Sequence, residues 1–176
     1  MVVLCDMDGV VADFVGGVLR RYNLEYNDHL THADIKGHGM HNFMKCGTGV
    51  YKYFREEGLF AHLDVIKPAQ QALLKLHNDG HDIYFVTKPV DHSHHCLREK
   101  QMWVTKHFPF IGLKKMVFTG QKHMVRGDVL IDDLPSNLEK FRGFKVLVDQ
   151  PWNRVEVPPG IRFYNWGAIY ETISAK

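Results

Sequence analysis

The stretch Asp6-Met7-Asp8-Gly9-Val10-Val11-Ala12-Asp13-Phe14 follows directly on an apolar run at residues 2–5. Two carboxylates one residue apart, just past a buried strand, can converge on one point and divide the work of nucleophile and general acid/base. Gly9 permits a tight turn that would leave its N–H facing an anion. Alone, an Asp-x-Asp-Gly run reads equally well as a surface turn, since Asp and Gly favour turns. A second apolar run, Val129-Leu130-Ile131, ends in Asp132-Asp133. Adjacent acids after a buried strand are costly unless paired or metal-bound. If the two strands are neighbours, Asp6, Asp8 and Asp132 surround a site suited to a hard, oxygen-seeking cation such as Mg²⁺, with Asp133 orienting a water on it. Helix capping is a competing reading for Asp133 and a poor one for Asp132.

Two further apolar runs end in complementary groups. Phe85-Val86-Thr87-Lys88-Pro89 places a hydroxyl and backbone amides after one strand, and Thr119-Gly120-Gln121-Lys122 places a lysine after another. Carboxylate nucleophile, cation, hydroxyl and ammonium together describe phosphoryl transfer, where a protein mostly positions groups and neutralises charge. Singly, Thr87 would be an ordinary loop residue and Lys122 a solvated surface lysine. Their order along the chain gives them weight.

These groups need a scaffold that gathers strand ends. Short β-branched runs at 2–5, 82–86, 115–119, 128–131 and 144–148 alternate with helical patterns at 68–78, 91–107, 135–141 and 166–173. Such alternation predicts an α/β fold, a parallel sheet flanked by helices. Pro68 starts one helix and Gly80 stops it, while Pro109 ends the next. Residues 15–65 break the rhythm, being rich in Gly, His and aromatics, and read as a mainly helical inserted cap. The domain division is therefore a core of 1–14 and 66–176 with a cap of 15–65, and 37–49 is the most irregular stretch.

With all four segments in order, the sequence resembles the haloacid dehalogenase superfamily of phosphatases, whose motifs are a DxD strand end, a Thr or Ser, a Lys and an acidic pair. Within it, the wording is similar to the 5'(3')-deoxyribonucleotidases, which share the DMDGV-x-ADF opening, a Lys-to-IDD segment like residues 122–133, and a helix like residues 98–104. The resemblance implies a Rossmann-like core and an aspartyl-phosphate mechanism. Asp6 would attack phosphorus while Asp8 serves as acid and then base. Mg²⁺ would be held by Asp6, the Asp8 carbonyl and Asp132, and the phosphate by Thr87, nearby amides and Lys122. Phe14 matches a position that helps line the nucleobase pocket, and a hinge or core role competes with it.

Two departures bear on the substrate. The family's Thr-Ser-Pro is Thr87-Lys88-Pro89 here, and Gly120 stands where an Arg is usual two residues before the motif lysine. Lys88 is accordingly a substrate-binding candidate that replaces the lost charge. Between Asp8 and Thr87 lie far more residues than one crossover needs, leaving about 40 to 50 to fold over the strand ends. Phe43, Tyr51, Tyr53, Phe54 and Phe60 in this insert could stack on a base, although a small cap needs aromatics for its own core.

Composition sets the remaining bounds. With 45% hydrophobic residues and a net charge of +2, the chain lacks the concentrated basic face that coating nucleic acid requires. Three cysteines without CxxC spacing fit free thiols and a reducing compartment. The N-terminal run is too short and too soon acidic for a signal peptide or membrane span, so cytoplasm is the expected location. The expected activity is Mg²⁺-dependent hydrolysis of a nucleoside monophosphate. A sugar phosphatase, a polynucleotide phosphatase or a non-catalytic nucleotide binder are the alternatives, and a homodimer stays open.

Overall fold

Strand β1 (Val2–Cys5) runs through the middle of the molecule with Val3, Leu4 and Cys5 fully buried. It pairs in parallel with β2 (Asp82–Thr87) on one side and β4 (Val129–Asp132) on the other. In the computed structural model, which describes residues 1–176, β3 (Met116–Phe118), β5 (Phe144–Val148) and β6 (Ile161–Phe163) complete a six-stranded parallel sheet of order β3-β2-β1-β4-β5-β6. The strand order reverses at β1, so the crevice beyond its carboxyl end is where an open parallel sheet accepts a ligand. The expected neighbourhood of the first and fourth strands is therefore present, and it aligns Cys5 with Ile131 one residue before the acids of each strand.

The flanking helices are α1 (Phe14–Tyr26), α2 (Lys67–Asn78), α3 (Cys96–His107), α4 (Pro135–Glu139) and α5 (Trp166–Ser174). Pro68 opens α2 as expected. The helix expected from residue 91 begins only at Cys96, whose N–H is capped by Ser93 Oγ at 3.1 Å. Helix α4 ends at Glu139, two residues short of expectation, and β3 is confined to three residues. Strand β6 was not expected at all. Its three residues run from exposed Ile161 through half-buried Arg162 to buried Phe163 on the sheet edge, too short a run to show a period.

Between β1 and β2 the chain forms α1 and then a succession of 3₁₀ helices at His32–Asp34, Met40–Phe43, Gly47–Arg55 and Phe60–His62. Their buried residues, including Ile35, Met40, Val50, Tyr53 and Phe60, join one continuous apolar cluster with Val3, Cys5 and Phe85 of the sheet. Helix α1 carries Gly16 and Gly17, which mask its helical pattern in the sequence. At Gly17 a Cβ would lie 2.3 Å from Leu63 Cδ2, so a small residue lets α1 approach the returning chain. No helix is long and apolar enough to cross a membrane.

Asp13 caps α1 by accepting from the Gly16 N–H at 2.9 Å, and it also accepts from His32 Nε2 at 2.7 Å. That contact ties the first 3₁₀ segment of the insert to the start of α1. The Asp13 hydrogen bond raises the His32 pKa above its ordinary 6.5. Burial works against ionisation of Asp13, but the bonds from His32 and Gly16 hold its carboxyl below the usual 3.8. Stability from a raised histidine is present below its unfolded pKa and is lost as pH rises through the folded value; that from a lowered aspartate is lost as pH falls. The pair therefore contributes most between about pH 4 and 6.5. In urea titrations, His32→Ala should flatten the fall of stability between about pH 6 and 8 and leave stability at pH 9 close to wild type.

Candidate active site

The chain leaves β1 through a tight turn in which the Met7 carbonyl accepts from the Val11 and Ala12 N–H groups at 3.0 and 2.9 Å. Met7 is buried beneath the turn, which sends Asp6 and Asp8 to the crevice on either side of it. Gly9 sits at φ +76°, where an L side chain is strained. The sequence led us to expect a free Gly9 N–H, and the structure corrects this: it donates to the Ala12 carbonyl at 2.8 Å. Gly9 instead provides clearance. A Cβ there would stand 2.6 Å from Asp133 Oδ2 and 3.1 Å from the Trp152 ring.

The expected polar residues divide into two sets. In the first, Lys122, on a 3₁₀ turn after β3, places its ammonium 2.6 Å from both Asp6 Oδ1 and Asp132 Oδ2. Asp132 further accepts from the Leu134 N–H at 2.9 Å and from Asn137 Nδ2 at 3.0 Å. Asp133 accepts from Trp152 Nε1 at 2.7 Å. Carboxylate oxygens of Asp6, Asp132 and Asp133 lie within 4.8 Å of one another, all three residues buried. Burial would depress Lys122, yet Asp6 and Asp132 hold its ammonium above the usual value. Burial lifts Asp132 to about 6 against the pull of Lys122, and lifts Asp133 well above the ordinary range with Asp132 and Asp6 adding to the effect.

In the second set, Asp8 turns away from the cluster. Its Oδ2 accepts from Lys100 Nζ at 2.6 Å, and the same ammonium donates to Thr87 Oγ1 at 2.7 Å and to the Lys88 carbonyl at 3.0 Å. Asp8 Oδ1 is buried without a hydrogen-bond partner. Burial raises the Asp8 pKa; Lys100 opposes the rise and Asp6 reinforces it. The side-chain donors close enough to share a cation are thus Asp6, Asp132 and Asp133, so Asp133 joins as a donor and Asp8 does not contribute its carboxylate.

The fit of a hard cation follows from donor chemistry. Asp6, Asp132 and Asp133 offer carboxylate oxygens around one point, an all-oxygen donor set that suits a hard divalent ion. Lys100, Asn137 and Trp152 were missed in the sequence. Lys100 had a legible signal, since Cys96, Lys100, Trp103 and Val104 are buried at helical spacing and put a lysine on the apolar face of α3. Leu97, the residue after Cys96, lies off this face and is exposed.

Above these groups opens a cavity of about 790 Å³ lined by Phe14, Tyr51 and Phe54 as well as Asp6, Asp8 and Lys122. Phe14 packs edge-on against Phe54 at 4.9 Å and stacks on Phe60 at 5.7 Å. Tyr53 and Phe60 are core residues, as their competing reading held. Lys88 lies exposed on the cavity rim with Gly120 beside it, its stem carbons 3.8 Å from where a Gly120 Cβ would be.

A parallel sheet with its acids, hydroxyl and lysine at four adjacent strand ends defines a phosphohydrolase of the haloacid dehalogenase fold. A solved haloacid dehalogenase-like hydrolase from Streptococcus pneumoniae shares that fold with a TM-score of 0.64 at 11% identity, covering 98% of this chain and 97% of its own. Within this class, the chain belongs to the family described as 5' nucleotidase, deoxy (pyrimidine), cytosolic type C protein, whose family model matches residues 1–176. It is 33% identical over 168 residues to a 5'(3')-deoxyribonucleotidase of Bacillus subtilis, covering 96% of this chain and 95% of that one. It is 38% identical over 140 residues to a 5'(3')-deoxyribonucleotidase of Clostridium acetobutylicum, covering 78% and 76%.

The clearance at Gly9 is directly testable. Gly9→Ala should cost about 1–2 kcal/mol in backbone strain alone. It should also displace Asp133 and lower kcat, as read by urea denaturation and phosphate release on the same preparation.

Proposed function

We propose that the protein hydrolyses deoxyribonucleoside monophosphates with Mg²⁺ through an aspartyl-phosphate on Asp6. The observation that carries this reading is the placement of Asp6, paired with Lys122, on the floor of an aromatic-walled cavity that Asp8 also lines. Family membership supports the nucleotide as substrate, and the all-carboxylate cluster supports the metal.

In the first half-reaction an Asp6 carboxylate oxygen attacks phosphorus and the bond to the ester oxygen breaks. Asp8 donates a proton to that leaving oxygen, releasing the nucleoside. In the second, water attacks the same phosphorus, Asp8 takes its proton, and the Asp6–phosphorus bond breaks to free inorganic phosphate and restore the carboxylate. Lys122 steadies the phosphoryl oxygens, and the Thr87 hydroxyl with nearby amides holds them in place. Asp6, Asp132 and the Asp8 carbonyl, with Asp133 beside them, would hold Mg²⁺, which would neutralise phosphate charge when bound. Residues 15–65 act as the cap, their aromatics Tyr51 and Phe54 joining Phe14 around the base, over a core of 1–14 and 66–176. The cap excludes long nucleic-acid strands, and the substrate is a small soluble molecule of the cytoplasm.

Lys88 contributes charge at the rim. The stem passes over Gly120 and leaves the ammonium to reach a phosphate from the side that an arginine at 120 would occupy.

Asp6→Asn should abolish phosphate release while leaving the circular-dichroism spectrum unchanged, because no carboxylate nucleophile remains; wild-type rates would refute the covalent route. On the wild-type protein, chelation should remove activity and added Mg²⁺ restore it. A panel of 5'- and 3'-deoxy- and ribonucleotides, sugar phosphates and a phosphorylated oligonucleotide should favour the deoxymononucleotides. Lys88→Ser should raise KM for the best nucleotide about tenfold, corresponding to roughly 1.4 kcal/mol of lost binding. Unchanged KM and kcat would exclude Lys88 from the phosphate.

A further inference from the structure

Lys100 is fully buried, and all three of its N–H groups are committed, to Asp8, Thr87 and the Lys88 carbonyl. These partners come from the ends of two different strands, so one ammonium sets the separation between a reacting carboxylate and a phosphate-holding hydroxyl. It grips only Asp8 Oδ2 and leaves Oδ1 buried and unpartnered in the same pocket. A carboxyl oxygen kept from every protein donor is available to a group brought by the substrate. The preceding residue faces the insert. The Glu99 carboxylate is buried and accepts from the Gly58, Phe60 and Ala61 N–H groups at 2.6, 3.0 and 3.3 Å. The Phe60 ring that this loop carries lies 4.8 Å from Lys100 Nζ and stacks on Phe14 at the cavity wall.

We propose that Lys100 is a positioning residue that aims Asp8 at the leaving oxygen, and that Glu99 makes this aim depend on the seating of the cap. The inference rests on the nucleotidase reading of the site. Lys100 touches no substrate atom; it acts through Asp8. The proton still passes from Asp8 to the ester oxygen as that bond to phosphorus breaks, and from water to Asp8 as phosphate is released. What Lys100 supplies is the fixed direction of the carboxyl in both transfers.

This role separates from a structural one by the leaving group. A deoxynucleoside oxygen needs a proton to depart, whereas p-nitrophenolate departs without one. Lys100→Met, which keeps the volume of the side chain, should lower kcat for a deoxynucleoside monophosphate by about 10²-fold, with KM little changed. With p-nitrophenyl phosphate the same variant should release a rapid burst of nitrophenolate approaching one per enzyme, followed by slow turnover as the second half-reaction lags. Glu99→Gln should show the same bias in weaker form. Equal loss on both substrates with no burst, or wild-type kinetics on both, would overturn the role of Lys100. Wild-type kinetics in Glu99→Gln would overturn the link to the cap. If Lys100→Met does not fold, Lys100→Gln, which retains donors, carries the same comparison. Wild-type turnover of the nucleotide tests the underlying reading separately, since its failure would be visible before any variant is made.

Discussion

Four carboxylates, Asp6, Asp8, Asp132 and Asp133, are brought together at the carboxyl end of two adjacent parallel strands, and only two ammonium groups come to meet them. Removing a charge from water costs several kcal/mol even after relaxation, so this convergence constrains everything around it. Lys122 bridges Asp6 and Asp132, Asn137 and the Leu134 amide cover the rest of Asp132, and the Trp152 indole reaches Asp133. These partners come from three segments, after β3, at the start of α4 and after β5, so those segments are pinned by the need to satisfy the acids. A sheet built only for stability would place apolar residues here. The acids that face one another here form an all-oxygen cluster of the kind that suits a hard cation.

The two lysines also keep the two leading acids apart in character. Asp6 faces the Lys122 ammonium and the Asp132–Asp133 pair. Asp8 faces Lys100 through one oxygen only, and burial favours its neutral form more than that single contact opposes it. Carboxyls one residue apart thus acquire different surroundings because the buried Met7 between them sends each to a different ammonium.

What the sequence made legible was the sheet and its ends. A strand buried on both faces leaves an uninterrupted apolar run, and the first acid at its end marks where the run meets the crevice, which is why Asp6 and Asp132 could be placed; Thr87 and Lys122 followed from the polar groups at the ends of the next two runs. Lys100 was hidden by its company. Arg98-Glu99-Lys100 looks like a solvated helix face, and only the buried spacing from Cys96 to Trp103 shows that two of these charges point inward. The insert was legible as an interruption but not as a structure, because 3₁₀ turns have no long period and its helix α1 is masked by two glycines. Strand β6 failed for a related reason, three residues on an edge being too few to carry a pattern.

The insert has no sheet and one substantial helix, so it must borrow its order from elsewhere. It does so from α3: Glu99 holds the amides of residues 58, 60 and 61, and the Trp103 indole donates to the Leu63 carbonyl at 2.8 Å. Residues 99, 100 and 103 lie within about one helical turn. One rigid turn therefore fixes both the returning end of the insert and the ammonium that grips Asp8. The wall that would recognise a base and the carboxyl that would protonate its nucleoside are thus referenced to the same short stretch of backbone. Buried hydrogen bonds to a charged carboxylate resist small displacement more than apolar contacts do, being directional and about 1.5–3 kcal/mol each. Rigid placement by Glu99 and Trp103 lets an insert of weak intrinsic order form a defined cavity wall, and the Asp8 and Thr87 side chains held by Lys100 share the precision of that placement.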